Sequence, residues 1–175
     1  MDPVIVDTNV ALAANNEAEQ ADTPCVIRCI QELIETVSGR QVLLDDAGLI
    51  LNEYLRQKPH GFPQGPGDAF LVWIYDNQAN SQLVRIVPVT PLGNDPQGFA
   101  EFPKDADLTD FDADDRKFVA VALASEIMPK ILNATDTDWW IHRIALARNK
   151  VNAEFLCPCL MMDKEADSSA NHKYK

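Results

Sequence analysis

The sequence predicts an α/β fold in three layers, a largely parallel sheet of four to five strands flanked by helices. Two observations carry that expectation. Short apolar runs rich in β-branched residues and without alternation, such as 4–6 and 42–44, have the pattern of strands buried on both faces. Between such runs lie segments with apolar residues at helical spacing, and strands alternating with helices call for a parallel sheet with right-handed crossovers.

Residues 4–6 form the first strand, and a helix starts over 11–14. Thr23 offers an N-cap and Pro24 a first-turn proline. Val26, Ile30, Leu33, Ile34 and Val37 then follow at helical spacing until Ser38 and Gly39 stop the run. Residues 42–44 form a second strand, with Asp45 or Asp46 capping a helix that carries Leu49, Ile50, Glu53, Tyr54 and Arg56. The glycine- and proline-rich stretch 58–67 reads as a loop. Residues 68–78, with Phe70, Leu71, Trp73 and Ile74, fit a helix, and 83–89 a third strand. Residues 91–111 have no sustained period and read as the longest loop, a candidate rim for a site. Asp112 caps a helix bearing Phe118, Val121, Ala122 and Ser125. A fourth strand over 131–134, a helix over 139–147 and a fifth strand over 151–156 complete one unit of residues 1–160, and 161–175 form a polar tail that frays.

At 175 residues and 46% hydrophobic content the chain can bury one sizeable core. The formal charge of -12 argues against broad electrostatic capture of nucleic acid. Arg56 with Lys58, Arg116 with Lys117, and Arg143, Arg148 and Lys150 are local basic clusters all the same. No apolar run approaches the roughly 20 residues that span a bilayer, and the first residues lack the basic n-region of a signal peptide. A cytoplasmic location is the expectation, with Cys25, Cys29, Cys157 and Cys159 reduced. Their C-x3-C and C-x-C spacings lack zinc-knuckle form, so small buried hydrophobes are expected rather than ligands.

Four acidic stations carry the chemistry: Asp7, Glu53, the 112–115 cluster and Asp136. Ligands of parallel sheets bind outside the carboxyl ends of the strands. Asp7 ends strand one, Asp136 follows strand four, and Asp115 lies in the first turn of the helix leading into that strand, so all three belong to one rim. Glu53 sits mid-helix beside an apolar stripe, where a carboxylate is desolvated unless it meets a cation. Carboxylates gathered this way make an oxygen-ligand site for Mg²⁺ or Mn²⁺.

The segments Val-Asp-Thr-Asn-Val, Asn-Glu-Tyr-Leu, Asp-Asp-Arg-Lys-Phe-Val-Ala-Val-Ala and Ala-Thr-Asp-Thr-Asp-Trp resemble, in order and across about residues 3–156, the successive motifs of PIN-domain nucleases. The resemblance implies a PIN-like fold in which acids at the carboxyl edge of the sheet bind Mg²⁺ or Mn²⁺ and cut RNA. Carried over by motif, the acids are Asp7, Glu53, Asp115 and Asp136, with Asp138 as a fifth metal ligand. Two departures stand out. Ala134 occupies the place of a small hydroxyl residue, with Thr135 one position later, and segment 58–81 exceeds what compact toxin-type members carry.

Thr8 and Asn9 are candidates to hold carboxylates or contact phosphate, and Arg116 and Lys117 to contact phosphate. Each has a plainer alternative: Asp112, Asp114, Asp45, Asp46 and Asp138 as helix caps, Arg116 and Lys117 as solvated or ion-paired residues. Trp139 and Trp140 stack on bases or pack in the core. No histidine is well placed as a general base. The expected function is a metal-dependent endoribonuclease, a toxin or a processing or phage-defence enzyme, with RNA as substrate and a homodimer or an antitoxin as further partners. A phosphoesterase of small substrates and a degenerate PIN-like binding module are the alternatives.

Overall fold

A computed structural model describes residues 2–57, 64–93 and 95–163. The chain runs β1 (Pro3–Val6), α1 (Thr8–Ala14), α2 (Thr23–Gly39), β2 (Gln41–Asp45), α3 (Leu49–Gln57), α4 (Pro66–Asn77) and β3 (Val84–Val87). It continues through β4 (Pro91–Leu92), β5 (Asp95–Phe99), α5 (Arg116–Ala124), β6 (Lys130–Asn133), α6 (Thr137–Arg148) and β7 (Asn152–Phe155). Five strands form one sheet in the order β3-β2-β1-β6-β7, and every pairing is parallel. The expected three-layer α/β architecture is therefore present. Val4, Ile5 and Val6 of the central strand are wholly buried, which accounts for the unalternating sequence.

The order places a topological switch between β1 and β6: connections from β1 lead to β2 and β3 on one side, and the later strands lie on the other. Parallel sheets open a crevice at the carboxyl end of such a point. Asp7 leaves β1 there, its N–H continuing the ladder to Leu132 O at 3.0 Å.

Helix α1 starts at Thr8, three residues before the apolar run suggests, because Asp7 caps it by accepting from Asn9 N at 3.0 Å. Helix α2 is capped by Asp22 rather than Thr23, which lies inside the first turn with Pro24. Asp45 caps α3, its two oxygens accepting from Leu49 N and Ile50 N at 2.7 and 2.8 Å. Helix α4 begins at Pro66, inside the expected loop; residues 58–63 lie outside the described residues. Gly67 lets α4 approach α1, since a Cβ there would stand 2.0 Å from Ala11 O. Asn15 fastens the same contact, accepting from Gly67 N and donating to Asp68 Oδ1.

Residues 91–111 are not one loop. β4 and β5 pair as an antiparallel hairpin, and residues 106–108 make a 3₁₀ turn. Strands this short, carrying Pro91, Pro96 and Gly98, show no period to read. The segment is pinned by buried Phe99, Leu108 and Phe111 and by Asp105, which pairs with Arg148 of α6 at 2.7 Å. At the C-terminal end Met161 is buried, so packed structure extends past residue 160; the polar tail from 164 lies outside the described residues. Among the described residues no helix is long and apolar enough to cross a membrane.

The cysteines differ from expectation. Cys25 and Cys157 form a disulfide, a bond typical of oxidising compartments, because the chain after β7 returns to the buried start of α2 with a Cα separation of 5.3 Å. Cys29 completes a buried group whose sulfurs lie within 4.8 Å of one another. Burial pushes its thiol up to about 12, so it stays protonated and is a poor nucleophile toward its neighbours. Cys159 is exposed and free. The bond spans 132 residues, and chain-entropy reasoning for so large a loop gives an upper bound of about 5 kcal/mol. Cys157→Ser is expected to lower the urea midpoint accordingly, with a loss of about 2–5 kcal/mol that reduction of the wild type reproduces.

Candidate functional site

Three of the four acidic stations meet. Asp7, Asp115 and Asp136 each offer a carboxylate oxygen, and these oxygens lie within 4.8 Å of one another at the β1/β6 edge. Asp7 is only 4% exposed. One of its oxygens accepts from Asn9 N, and the other from Asn133 Nδ2 at 3.2 Å. Asn133 is wholly buried at the end of β6 and uses both ends of its amide, its Oδ1 accepting from Asp136 N at 3.2 Å. One amide thereby sets the spacing of two acids. Asp136 caps α6 through Asp138 N at 2.8 Å.

Asp115 is placed differently. It precedes α5 without any side-chain cap bond, and its Oδ2 instead accepts from Trp139 Nε1 at 2.9 Å. Capping therefore explains the location of Asp7 and Asp136 but not of Asp115. Trp139 is fully buried and edge-on to Phe111 at 5.1 Å, so its role is packing and holding Asp115, not stacking on a base. Trp140 is engaged by Phe155 and by Arg143, whose guanidinium lies 4.3 Å from the indole centroid.

Glu53 borders the trio. Thr8 Oγ1 donates to one of its oxygens, and Lys117 Nζ lies 2.5 Å from the other. The neighbouring Tyr54, fully buried, donates its hydroxyl to Val6 O and so anchors α3 to the end of β1. Lys117 is itself buried and also donates to Asp114 O. Of the residues expected at phosphate, Lys117 thus serves as the internal counter-ion of Glu53. Arg116 is turned away, donating to the carbonyls of Thr109 and Phe111 and lying over the Phe102 ring. Asp138 also faces elsewhere: its oxygens meet Asp112 N at 2.8 Å and His142 Nδ1 at 3.2 Å. Thr8 is committed to Glu53. Asn9 accepts from Ala134 N at 2.7 Å, while its buried Nδ2 has no partner.

Electrostatics follow from this crowding. Burial, then the charges of Asp136 and Glu53, push the Asp7 carboxyl above the ordinary range, against the Asn9 bond and Lys117. Burial, followed by the charges of Asp7, Asp136 and Asp112, raises Asp115. Asp136 is raised by burial and by the charges of Asp138 and Asp112, against the backbone bonds from Asp138 and Trp139. Three carboxylates that resist ionising together are a group short of positive charge.

Sequence reasoning did not single out Asn133, Tyr54 or Trp139 as site-builders. A polar residue closing a buried strand beside an acid was the available signal for Asn133; no local pattern marked the other two. No protein-family model, curated protein or solved structure matches this chain.

A folded carboxyl with a raised pKa binds its proton more tightly than the unfolded chain does. Its contribution to stability is complete below the unfolded value near 3.8 and is lost as pH rises through the folded value. In chelator-treated protein, Asp115→Asn is therefore expected to raise stability at pH 8 by roughly 1–3 kcal/mol, with the gap closing toward pH 4. Denaturation series at the two pH values check this.

Proposed function

We propose that the protein is a Mg²⁺- or Mn²⁺-dependent endoribonuclease. The observation that carries the proposal is the convergence of Asp7, Asp115 and Asp136, three acids from stations far apart in sequence, on one sheet edge with their pKa values raised. The donor set suits a hard cation: it consists of carboxylate oxygens, without sulfur or imidazole. Adding positive charge there offsets the mutual repulsion.

In this reading Asp7, Asp115 and Asp136 hold the ion. A bound divalent ion supplies the Lewis acidity that stabilises charge on a reacting phosphate and eases deprotonation of water. The chain supplies the geometry. Asn133 fixes the distance between Asp7 and Asp136, and Trp139 orients Asp115. Glu53, held by Thr8 and Lys117, borders the centre as an acceptor able to orient water. The orphaned Asn9 Nδ2 is a donor in reserve beside Asp7.

Two clefts support a polymeric substrate over a small phosphomonoester. One of about 340 Å³ is lined by Asn9, Thr135, Asp136 and Thr137 on the α1 side, and another of about 340 Å³ lies between α3 and the β4–β5 hairpin, with Lys117 in its wall. A site with room on both sides suits a bond within a strand. The four-motif resemblance to PIN-domain nucleases favours RNA. A cytoplasmic location, a homodimer and an antitoxin are extensions of the same reading; the Cys25–Cys157 bond pulls against the first of them.

With labelled single-stranded RNA and Mn²⁺, the wild type is expected to cleave internally. Asp7→Asn and Asp136→Asn should each lose at least about a hundredfold in rate, a barrier increase of about 2.7 kcal/mol, while keeping a cooperative melt. Intact RNA with the wild type, or cleavage by both variants at the wild-type rate, sinks the proposal; turnover of a phosphomonoester alone would move it to a small-substrate phosphoesterase. Wild-type melting temperature should rise with Mn²⁺ as binding relieves repulsion, and a flat response would count against metal binding.

A further inference from the structure

The cleft between α3 and the hairpin contains chemistry that the acidic centre does not use. Leu49, Pro96 and Phe99 give it an apolar wall, and Asn52, Arg56 and Gln97 bring polar groups to the same space. About 340 Å³ lies at the small end of ligand sites, and an apolar surface with a few convergent polar groups is their usual composition. Arg56 is exposed at the end of α3 and has no hydrogen bond or ion pair among the described residues. In a chain of net charge -12, a guanidinium without a carboxylate partner keeps its planar donor set available for a phosphate. Gln97 donates through Nε2 to Asp114 Oδ1. That bond fixes the amide and leaves Oε1 as an acceptor and a second N–H as a donor.

The cleft also abuts the centre. Its wall includes Lys117, 2.5 Å from Glu53, and Asp114, the chain neighbour of Asp115. A strand with its reacting phosphate at the acids would lay an adjoining nucleotide here.

We infer that this cleft is a nucleotide subsite for single-stranded RNA: Arg56 takes a backbone phosphate, and Asn52 and Gln97 read the edge of a base laid against Leu49, Pro96 and Phe99. Unstacked bases read on their edges are how sequence is recognised in single-stranded RNA, whereas a backbone contact by a cation acts on every sequence alike. The inference rests on the ribonuclease reading of the acidic centre. It adds a residue-level division of labour: Arg56 for affinity, Asn52 and Gln97 for base preference.

The test is fluorescence anisotropy of labelled six-nucleotide homopolymers of RNA, and of DNA counterparts, with full-length protein in Ca²⁺. Arg56→Ala should weaken every RNA about tenfold. Asn52→Ala and Gln97→Ala should change the ratio of affinities among A, C and U homopolymers by at least about threefold. Melting temperatures and their Mn²⁺ response should match the wild type in all three variants. If the wild type binds RNA and the three variants bind it identically, the subsite is wrong while the ribonuclease reading stands. If the wild type binds no oligoribonucleotide, the subsite is wrong, and the Mn²⁺ cleavage assay decides the ribonuclease reading separately. Equal binding of DNA with the same variant losses overturns the assignment to RNA, and a lost Mn²⁺ response in Arg56→Ala overturns it as an effect of general damage.

Discussion

A carboxylate buried at the end of the central strand is the constraint around which the rest is arranged. Asp7 follows three residues with no exposed surface and is almost as buried itself. An isolated charge in such a place costs several kcal/mol unless it is hydrogen-bonded, paired or protonated. The surroundings meet part of that need: Asn9 N–H and the Asn133 amide each take one oxygen. Among the described residues they bring no cation into direct contact and set two further acids alongside. A fold selected for stability alone has simpler options at this position, an asparagine among them.

Each acid of the group has a carboxylate oxygen held by a neutral donor, and three elements supply the four donors. Asn133 at the end of β6 donates to Asp7, Asp138 N and Trp139 Nε1 of α6 to Asp136 and Asp115, and Thr8 of α1 to Glu53, while Asn133 Oδ1 accepts from Asp136 N. Neutral donors fix oxygens in place without cancelling their charge, as groups that orient metal ligands do. The built-in cation, Lys117, is spent on Glu53. That pairing divides the four stations into a neutralised member at the border and three raised carboxyls at the centre, and it explains why Glu53 stands apart from the trio.

Most of the sheet was legible because buried parallel strands and amphipathic helices write strong patterns. Residues 4–6, 42–44 and 131–134 fall on β1, β2 and β6 to within one residue at either end. The hairpin at 91–99 was not, since a two-residue strand has no period and its Pro and Gly residues read as loop. Asp7, Asp115 and Asp136 could be brought to one rim by topology, which depends only on element order. Side-chain direction could not be read: Asp138 turns to Asp112 and His142, and Arg116 to loop carbonyls. The Cys25–Cys157 bond escaped for a related reason, as it joins positions 132 apart whose meeting is a property of the whole fold.

The same distribution of partners bears on how a polyanion would approach. Arg28 and Arg40 pair with Glu32, Arg148 with Asp105 and Asp107, and Lys130 with Glu154. With so many cations engaged internally and a net charge of -12, the molecule has little long-range attraction for nucleic acid. Any affinity for a polyanion must then come from contacts made at short range. Such an arrangement steers a polyanion only weakly from a distance and leaves short-range contacts to decide what is bound. That consequence follows from where the charges are spent, not from their sum.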